Sequence, residues 1–285
     1  MAQDSTTDDP RVTTMDDRER MAAANAWDVR GQRVLVTGAS SGLGLAMARA
    51  LAVAGAHVAL SGRTMGRLAD AVRSLDDAQA RVRAVHMDVR DSTSIRRGIE
   101  EIADAWGGLD VVINNAGIGM RTVNPAFLTA PQPFWEVSED GFMAVIDTNL
   151  TGYFRVASAA VPLLMQATHG KIVNISVNHE TMRRRGFVPY GPSRAGTESL
   201  SLIMAEDLRP FGVDVNMLLP GGATATGMIP DDVPHDLRAR LLSPNVMAKP
   251  IRYLCSHASD GVTGARIVAT EFATWLRERQ EAQAG

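Results

Sequence analysis

The chain of 285 residues contains one cysteine, Cys255. A lone thiol cannot close an intrachain disulfide, and a Cys/His metal centre would be short of ligands, so no metal site is expected. No run of 18 apolar residues occurs, which leaves no candidate membrane-spanning helix. Neither sign of charge is in excess: 29 Lys and Arg against 32 Asp and Glu give a net charge of −3, which argues against a nucleic-acid partner. The opening MAQDSTTDDPRVTTMDDRER lacks both the basic start and the apolar stretch of a secretion signal. These absences point to a reducing, cytoplasmic location.

Apolar material, in contrast, is ample. Hydrophobic residues make up 45% and charged residues 21%, enough for one large core. Residues 1–30 read as a polar arm in which MAAANAW forms a short docking helix. From 31 to 285 apolar strands alternate with helical segments. Strands are expected at Arg33–Thr37, His57–Ser61, Val82–Asp88, 109–114, 171–176, 213–219 and 265–269. Helices are expected at Leu43–Ala54, Met65–Leu75, from a DSTS cap at 91–94 to Trp106, over roughly Asp140–Thr168 and at Tyr190–Leu208, with two short helical stretches before the last strand. Near-continuous apolar strands are buried on both faces, as a parallel sheet requires. The expected fold is a single α/β domain, doubly wound and Rossmann-type, with seven strands.

Directly after the first strand stands TGASSGLG: Thr37, Gly38, Ala39, Ser40, Ser41, Gly42, Leu43 and Gly44. Glycines permit a tight turn and close backbone approach to a pyrophosphate. The helix that follows aims free N–H groups at that anion. Further motifs are DV at Asp88–Val89, NNAG at Asn114–Gly117 (with Asn115 and Ala116 at its centre), NLTG at Asn149–Gly152, YGPSR at Tyr190–Arg194 and NMLLPGG at Asn216–Gly222, which includes Pro220 and Gly221. Taken together they resemble the short-chain dehydrogenase/reductase family, over Thr37 to about Thr263. The resemblance implies an NAD(P)-dependent oxidoreductase that interconverts a carbonyl and an alcohol, and a homodimer or homotetramer. It assigns Asp88 and Val89 to adenine, Asn115–Gly117 to the cofactor, and Pro220–Gly221 to the nicotinamide flank.

The second strand ends ALSGRT, with Gly62 where NAD users place an acid for the ribose 2′-hydroxyl, and Arg63 next to it. A cation favours a 2′-phosphate, so NADP(H) is expected over NAD(H), with Ser40 and Ser41 adding hydroxyls.

In the family Asn, Ser, Tyr and Lys carry the chemistry. Tyr190 and Asn149 are present, and the Lys position is Arg194, one helical turn beyond Tyr190. A tyrosine hydroxyl titrates near about 10, so it needs a nearby cation to move a proton at neutral pH. Arginine supplies that charge but does not readily give up a proton. The Ser position is Val177, and Asn178 or His179, where the chain leaves the strand, is the candidate replacement. The family's Thr after PG falls on Ala225, and a shift of one residue would put Thr226 on the carboxamide. The family's terminal DGG is also absent; TEF stands in its place. Arg183, Arg184, Arg185 and Arg121 are candidate contacts for an anionic substrate, and Ile118–Val137 is a candidate cover over the pocket. Two alternatives stay open: a cofactor-binding homologue without hydride transfer, and a lyase or isomerase on the same fold.

Overall fold

The computed structural model describes residues 27–230 and 238–284. Most of the expected N-terminal arm, with all of its helix but the last residue, lies outside them. Trp27 and Val29, which the sequence reading placed in that arm, are packed: Val29 is fully buried and Trp27 sits edge-on to Tyr253 and Phe272.

Seven parallel strands form one sheet: β1 Arg33–Thr37, β2 His57–Gly62, β3 Val82–His86, β4 Val111–Asn114, β5 Lys171–Ile175, β6 Asp214–Leu219 and β7 Arg266–Val268. Their order across the sheet is β3-β2-β1-β4-β5-β6-β7, so the winding reverses between β1 and β4. Helices α1 (Gly42–Val53), α2 (Met65–Arg73) and α3 (Ser92–Trp106) follow the first three strands. The α3 cap is the expected one: the Asp91 side chain accepts from Thr93 N at 2.8 Å. Central strands are buried on both faces and their residues fall into two clusters, one on each side of the sheet. Helices α8 (Ala248–Cys255) and α9 (Phe272–Ala284) complete the side that carries α1.

Three features depart from the sequence reading. The helix expected over roughly Asp140–Thr168 is divided: α4 runs Glu139–Ile146, a wide π turn occupies Asp147–Thr151, and α5 runs Gly152–Leu164. Thr197 Oγ1 donates to Asn149 O at 3.0 Å inside that turn, a bond from outside that replaces regular helical pairing. A one-turn helix α6 at His179–Met182 precedes α7 at Tyr190–Leu208. The polar helix α9 was not foreseen; its periodicity is weak, and it is held through Phe272 and Trp275, which pack with Tyr253.

Two charged residues of the sheet are buried, Lys171 and Asp214. Lys171 Nζ donates to Asp260 at 2.7 Å and to Ser259 Oγ at 3.2 Å, with Asp214 at 3.7 Å. Buried charges occur where they are paired, and this ammonium lies between two carboxylates. No helix among the described residues is long and apolar enough to cross a membrane.

Candidate active site

Where the winding reverses, the chain leaves the carboxyl ends of β1 and β4 towards helices on opposite faces of the sheet and a crevice remains between, the position at which open α/β sheets take ligands. Thr37 ties the two strands together there. Its hydroxyl donates to Ile113 O and accepts from the backbone N–H groups of Asn115 and Ala116 at 2.9 and 3.0 Å. Thr37 is fully buried, so it shapes the crevice instead of facing it. Asn115 adds a second tie, its amide donating to Thr37 O and Gly38 O at 2.9 and 3.1 Å.

The glycine turn is closely fitted. Gly38 and Gly42 have φ of +64° and +59°. A Cβ on Gly38 would lie 2.7 Å from Ala116 Cα, and one on Gly44 would lie 2.5 Å from the Asn115 amide. The turn therefore leaves an open cleft of about 340 Å³ outside its backbone, lined in part by Ser40, Ser41, Gly42 and Leu43. Gly44, like Thr37, works from behind. On the far side Asp88, Val89, Ala116 and Gly117 line the cleft.

At the outer end the cleft meets Gly62, Arg63, Thr64 and Arg67. Arg67 escaped the sequence reading. It lies in the first turn of α2, four residues beyond Arg63, and its guanidinium contacts Ser41 Oγ at 3.4 Å. No Asp or Glu stands at the end of β2. Arg90 also lines the cleft and holds the Asp88 carboxylate at 2.8 Å, and that bond keeps the Asp88 carboxyl below its usual range.

The inner end of the cleft runs into a second cavity of about 210 Å³, sharing Leu43, Asn115, Thr226 and Met228 as a common wall. Thr226 is the threonine in that wall between the two spaces. Thr224 is nine-tenths buried and donates to Gly222 O at 3.2 Å. Pro220 and Gly222 line the second cavity, whereas Gly221, with φ of +96°, is fitted against Thr270 and Val268 behind it.

Tyr190 and Arg194 both line this cavity. Arg194 is buried, with its guanidinium carbon 5.3 Å from the Tyr190 ring centroid and 5.6 Å from that of Tyr153. Its Nη1 donates to Tyr153 Oη at 2.9 Å and to Ile175 O at 3.0 Å. Burial works against its charge; the Tyr153 and Tyr190 hydroxyls facing it outweigh burial and raise its pKa. Tyr153 was not anticipated as a site residue. Burial pushes its phenol above the ordinary range against the opposing Arg194 cation, so it remains a neutral hydroxyl. The Nε of Arg194 has no hydrogen-bond partner among the described residues. A buried donor left in that state fits a ligand that brings an acceptor.

Asn149, in the π turn, is fully buried and does not line either cavity. Its side chain clamps Ile118 in both directions, accepting from Ile118 N at 2.8 Å and donating to Ile118 O at 2.9 Å, and also reaches Ser193 Oγ at 3.3 Å. Val177 and Asn178 line the second cavity; the Asn178 amide donates to Gly221 O at 3.1 Å. His179 is not brought there. Its ring lies 3.3 Å from the Glu198 carboxylate on α7, an attraction invisible along the chain. All three arginines of the run are exposed, and of them only Arg184 lines the cavity, its guanidinium 5.0 Å from the Phe187 ring centroid; Arg121 lies outside the lining. The 118–137 segment does cover the cavity, through Met120, Phe127 and Leu128, with Phe127 edge-on to Phe187 at 5.6 Å.

A cleft at the reversal point, opening inward onto a tyrosine beside a fixed cation, fits the class of nicotinamide-dependent oxidoreductases. Within that class the chain is a member of the short-chain dehydrogenase family, whose model matches residues 32–236. It is 30% identical over 264 residues to cyclohexanol dehydrogenase of Rhodococcus sp. (strain TK6), covering 84% of this chain and 94% of that one. Among solved structures it is similar to a dehydrogenase/reductase from Sinorhizobium meliloti 1021, with a TM-score of 0.76, 30% identity and coverage of 87% and 97%. It is also similar to a short chain dehydrogenase from Burkholderia cenocepacia J2315 in complex with NADP, with a TM-score of 0.73, 27% identity and coverage of 85% and 97%.

Proposed function

We propose that this chain binds NADP(H) in preference to NAD(H) and interconverts a carbonyl and an alcohol with Tyr190 as the proton-transferring group. The observation that carries the reading is the Tyr190–Arg194 pair at the inner end of a cleft built to accept a dinucleotide. Ser40, Ser41 and the backbone of Gly42 would hold the pyrophosphate. Arg63 and Arg67 would face the 2′-phosphate at the end of β2, a strand that carries no Asp or Glu. Arg194 Nε would donate to a hydroxyl of the nicotinamide ribose. Thr226, in the shared wall, would hold the carboxamide.

Bound in this cleft, the cofactor supplies or accepts the hydride. In the direction of reduction the Tyr190 hydroxyl gives its proton to the carbonyl oxygen, so hydride and proton together complete the alcohol. Arg194 opposes the negative charge left on the phenol oxygen, acting at close range and shielded from water. Val177 gives the oxygen no hydrogen bond and the Asn178 amide is held by Gly221 O, which leaves Tyr190 as its main donor. Asn149 acts on the site indirectly, holding the segment at Ile118. The cations beside the second cavity fit an anionic substrate.

Exposed Met143, Phe154, Leu202 and Ile203, on α4, α5 and α7, support assembly through these helices into a homodimer or homotetramer. Light scattering at micromolar concentration checks this, and a monomer counts against it. The chemical reading is tested with Tyr190→Phe across a panel of ketones and secondary alcohols. Turnover should fall by about 10²–10⁴ with cofactor affinity nearly intact. An undiminished rate in the variant rules the mechanism out.

A further inference from the structure

The second cavity carries information about its occupant that the Tyr190–Arg194 pair does not. Met120, Phe127, Leu128, Phe187, Val177 and Ile229 make much of its wall apolar. Three of the polar side chains that reach it are spent on the protein. Ser176 Oγ donates to Glu198 at 2.6 Å, the Asn178 amide to Gly221 O, and Thr224 Oγ1 to Gly222 O. A polyhydroxylated substrate would lose its bonds to water here and find few replacements, a penalty charged for every hydroxyl. The lining is therefore selective for an apolar body around the reacting carbonyl.

Charge in the cavity is of one sign. Arg184 and Arg194 line it, and among the described residues no Asp or Glu does. Arg194 is held at the reacting end by Tyr153 and Ile175 O. Arg184 is not committed in that way: its guanidinium lies over the Phe187 ring at 5.0 Å and pairs with no carboxylate among the described residues. Phe187 in turn stands 6.5 Å from the Tyr190 ring. Tyr190, Phe187 and Arg184 thus form a row: a proton donor, an apolar spacer and a cation.

We propose that the substrate is an amphipathic keto acid or hydroxy acid, with its carbonyl or carbinol at Tyr190, a hydrocarbon segment along Phe187, Phe127 and Leu128, and a terminal anion read by Arg184. This rests on the carbonyl/alcohol reading above and adds to it the chemistry of the remote end. Arginine suits the task because its planar fork grips a carboxylate through two N–H donors while its face stays on the ring.

The test uses a medium-chain methyl-ketone acid, its methyl ester, the matching neutral ketone and a polyhydroxy keto acid. Steady-state rates are measured with the full chain and NADPH, and binding is measured by calorimetry with NADP⁺ present. The ketone acid should exceed its ester by roughly tenfold in kcat/KM and in affinity, the discrimination of one charge-assisted contact. The polyhydroxy acid should be the poorest of the anions. Arg184→Gln should bring the acid-to-ester ratio close to one, Arg184→Lys should restore part of it, and Arg183→Gln, removing the neighbouring exposed charge, should leave it in place. Equal use of acid and ester, an unmoved ratio in Arg184→Gln, or failure of every probe to bind would overturn the proposal. Arg184-dependent binding of the acid without turnover would sustain it and refute the carbonyl/alcohol reading instead.

Discussion

Arg194 Nη1 lies 2.9 Å from the hydroxyl oxygen of Tyr153, a fully buried residue on the preceding long helix, α5. The phenol in turn donates to Ile175 O at 3.4 Å, so guanidinium, phenol and strand end are bonded to one another. Tyr153→Phe removes the acceptor and leaves a buried charged donor short of a partner. Stability should drop by about 1–3 kcal/mol in urea titrations. Arg194 would also be less firmly placed, so kcat should fall while the KM for cofactor changes little. An unchanged midpoint and rate would show that the contact contributes nothing.

Arg194→Lys separates charge from shape. An ammonium keeps the charge but lacks the planar fork that lies between the two tyrosine rings. Alone, the lysine variant should bind cofactor more weakly and turn over more slowly, because Tyr153 loses its donor. Combined with Tyr153→Phe it should recover part of the loss. Denaturation of all four proteins gives the coupling, expected at about 1 kcal/mol or more for residues in direct contact. Strict additivity would count against the pairing.

Arg67 should contribute to cofactor choice alongside Arg63. Either alanine variant is expected to weaken NADP(H) binding by roughly tenfold, as loss of one charge-assisted contact does, while NAD(H) binding stays within about twofold. Fluorescence titration of both reduced cofactors measures this. Equal losses for the two would place Arg67 elsewhere in function.

Cys255 is fully buried, and burial pushes its thiol up to about 12. The folded protein should therefore resist thiol-directed reagents at pH 8, with labelling limited by unfolding. The sign for stability follows. A thiol whose folded pKa is raised favours the native state below its unfolded pKa, and that contribution is lost as pH rises towards about 12. Cys255→Ala should flatten the alkaline decline between roughly pH 9 and 12. Rapid labelling of native protein would contradict the burial.

The candidate site was legible wherever its chemistry is local. TGASSGLG demands a tight turn at a helix start, Gly62–Arg63 lie side by side at a strand end, and Tyr190 and Arg194 are one turn apart. These depend on backbone sterics and helical repeat, which short segments carry by themselves. Arg67, in the first turn of the helix that follows Gly62–Arg63, stands close enough along the chain to be found in the same way.

What the sequence by itself determined was the alternation of apolar strands with helices, hence the doubly wound parallel sheet, and the identity of the dinucleotide turn. Only the tertiary structure decided which neighbours each side chain meets. Thr37 and Gly44 proved to support the crevice from behind, because β4 passes beside them. His179 is drawn to Glu198, nineteen residues away, and Asn149 to Ile118 across the π turn. From three consecutive arginines the fold brings one to the cavity, because Phe187 offers its ring face to Arg184. Tyr153 carried no mark in its own segment, since its partner Arg194 stands 41 residues further on, on another helix. Propensity and periodicity act within a few residues, whereas hydrogen bonds and ring contacts pair groups by proximity in the packed core, where burial makes an unpaired donor costly.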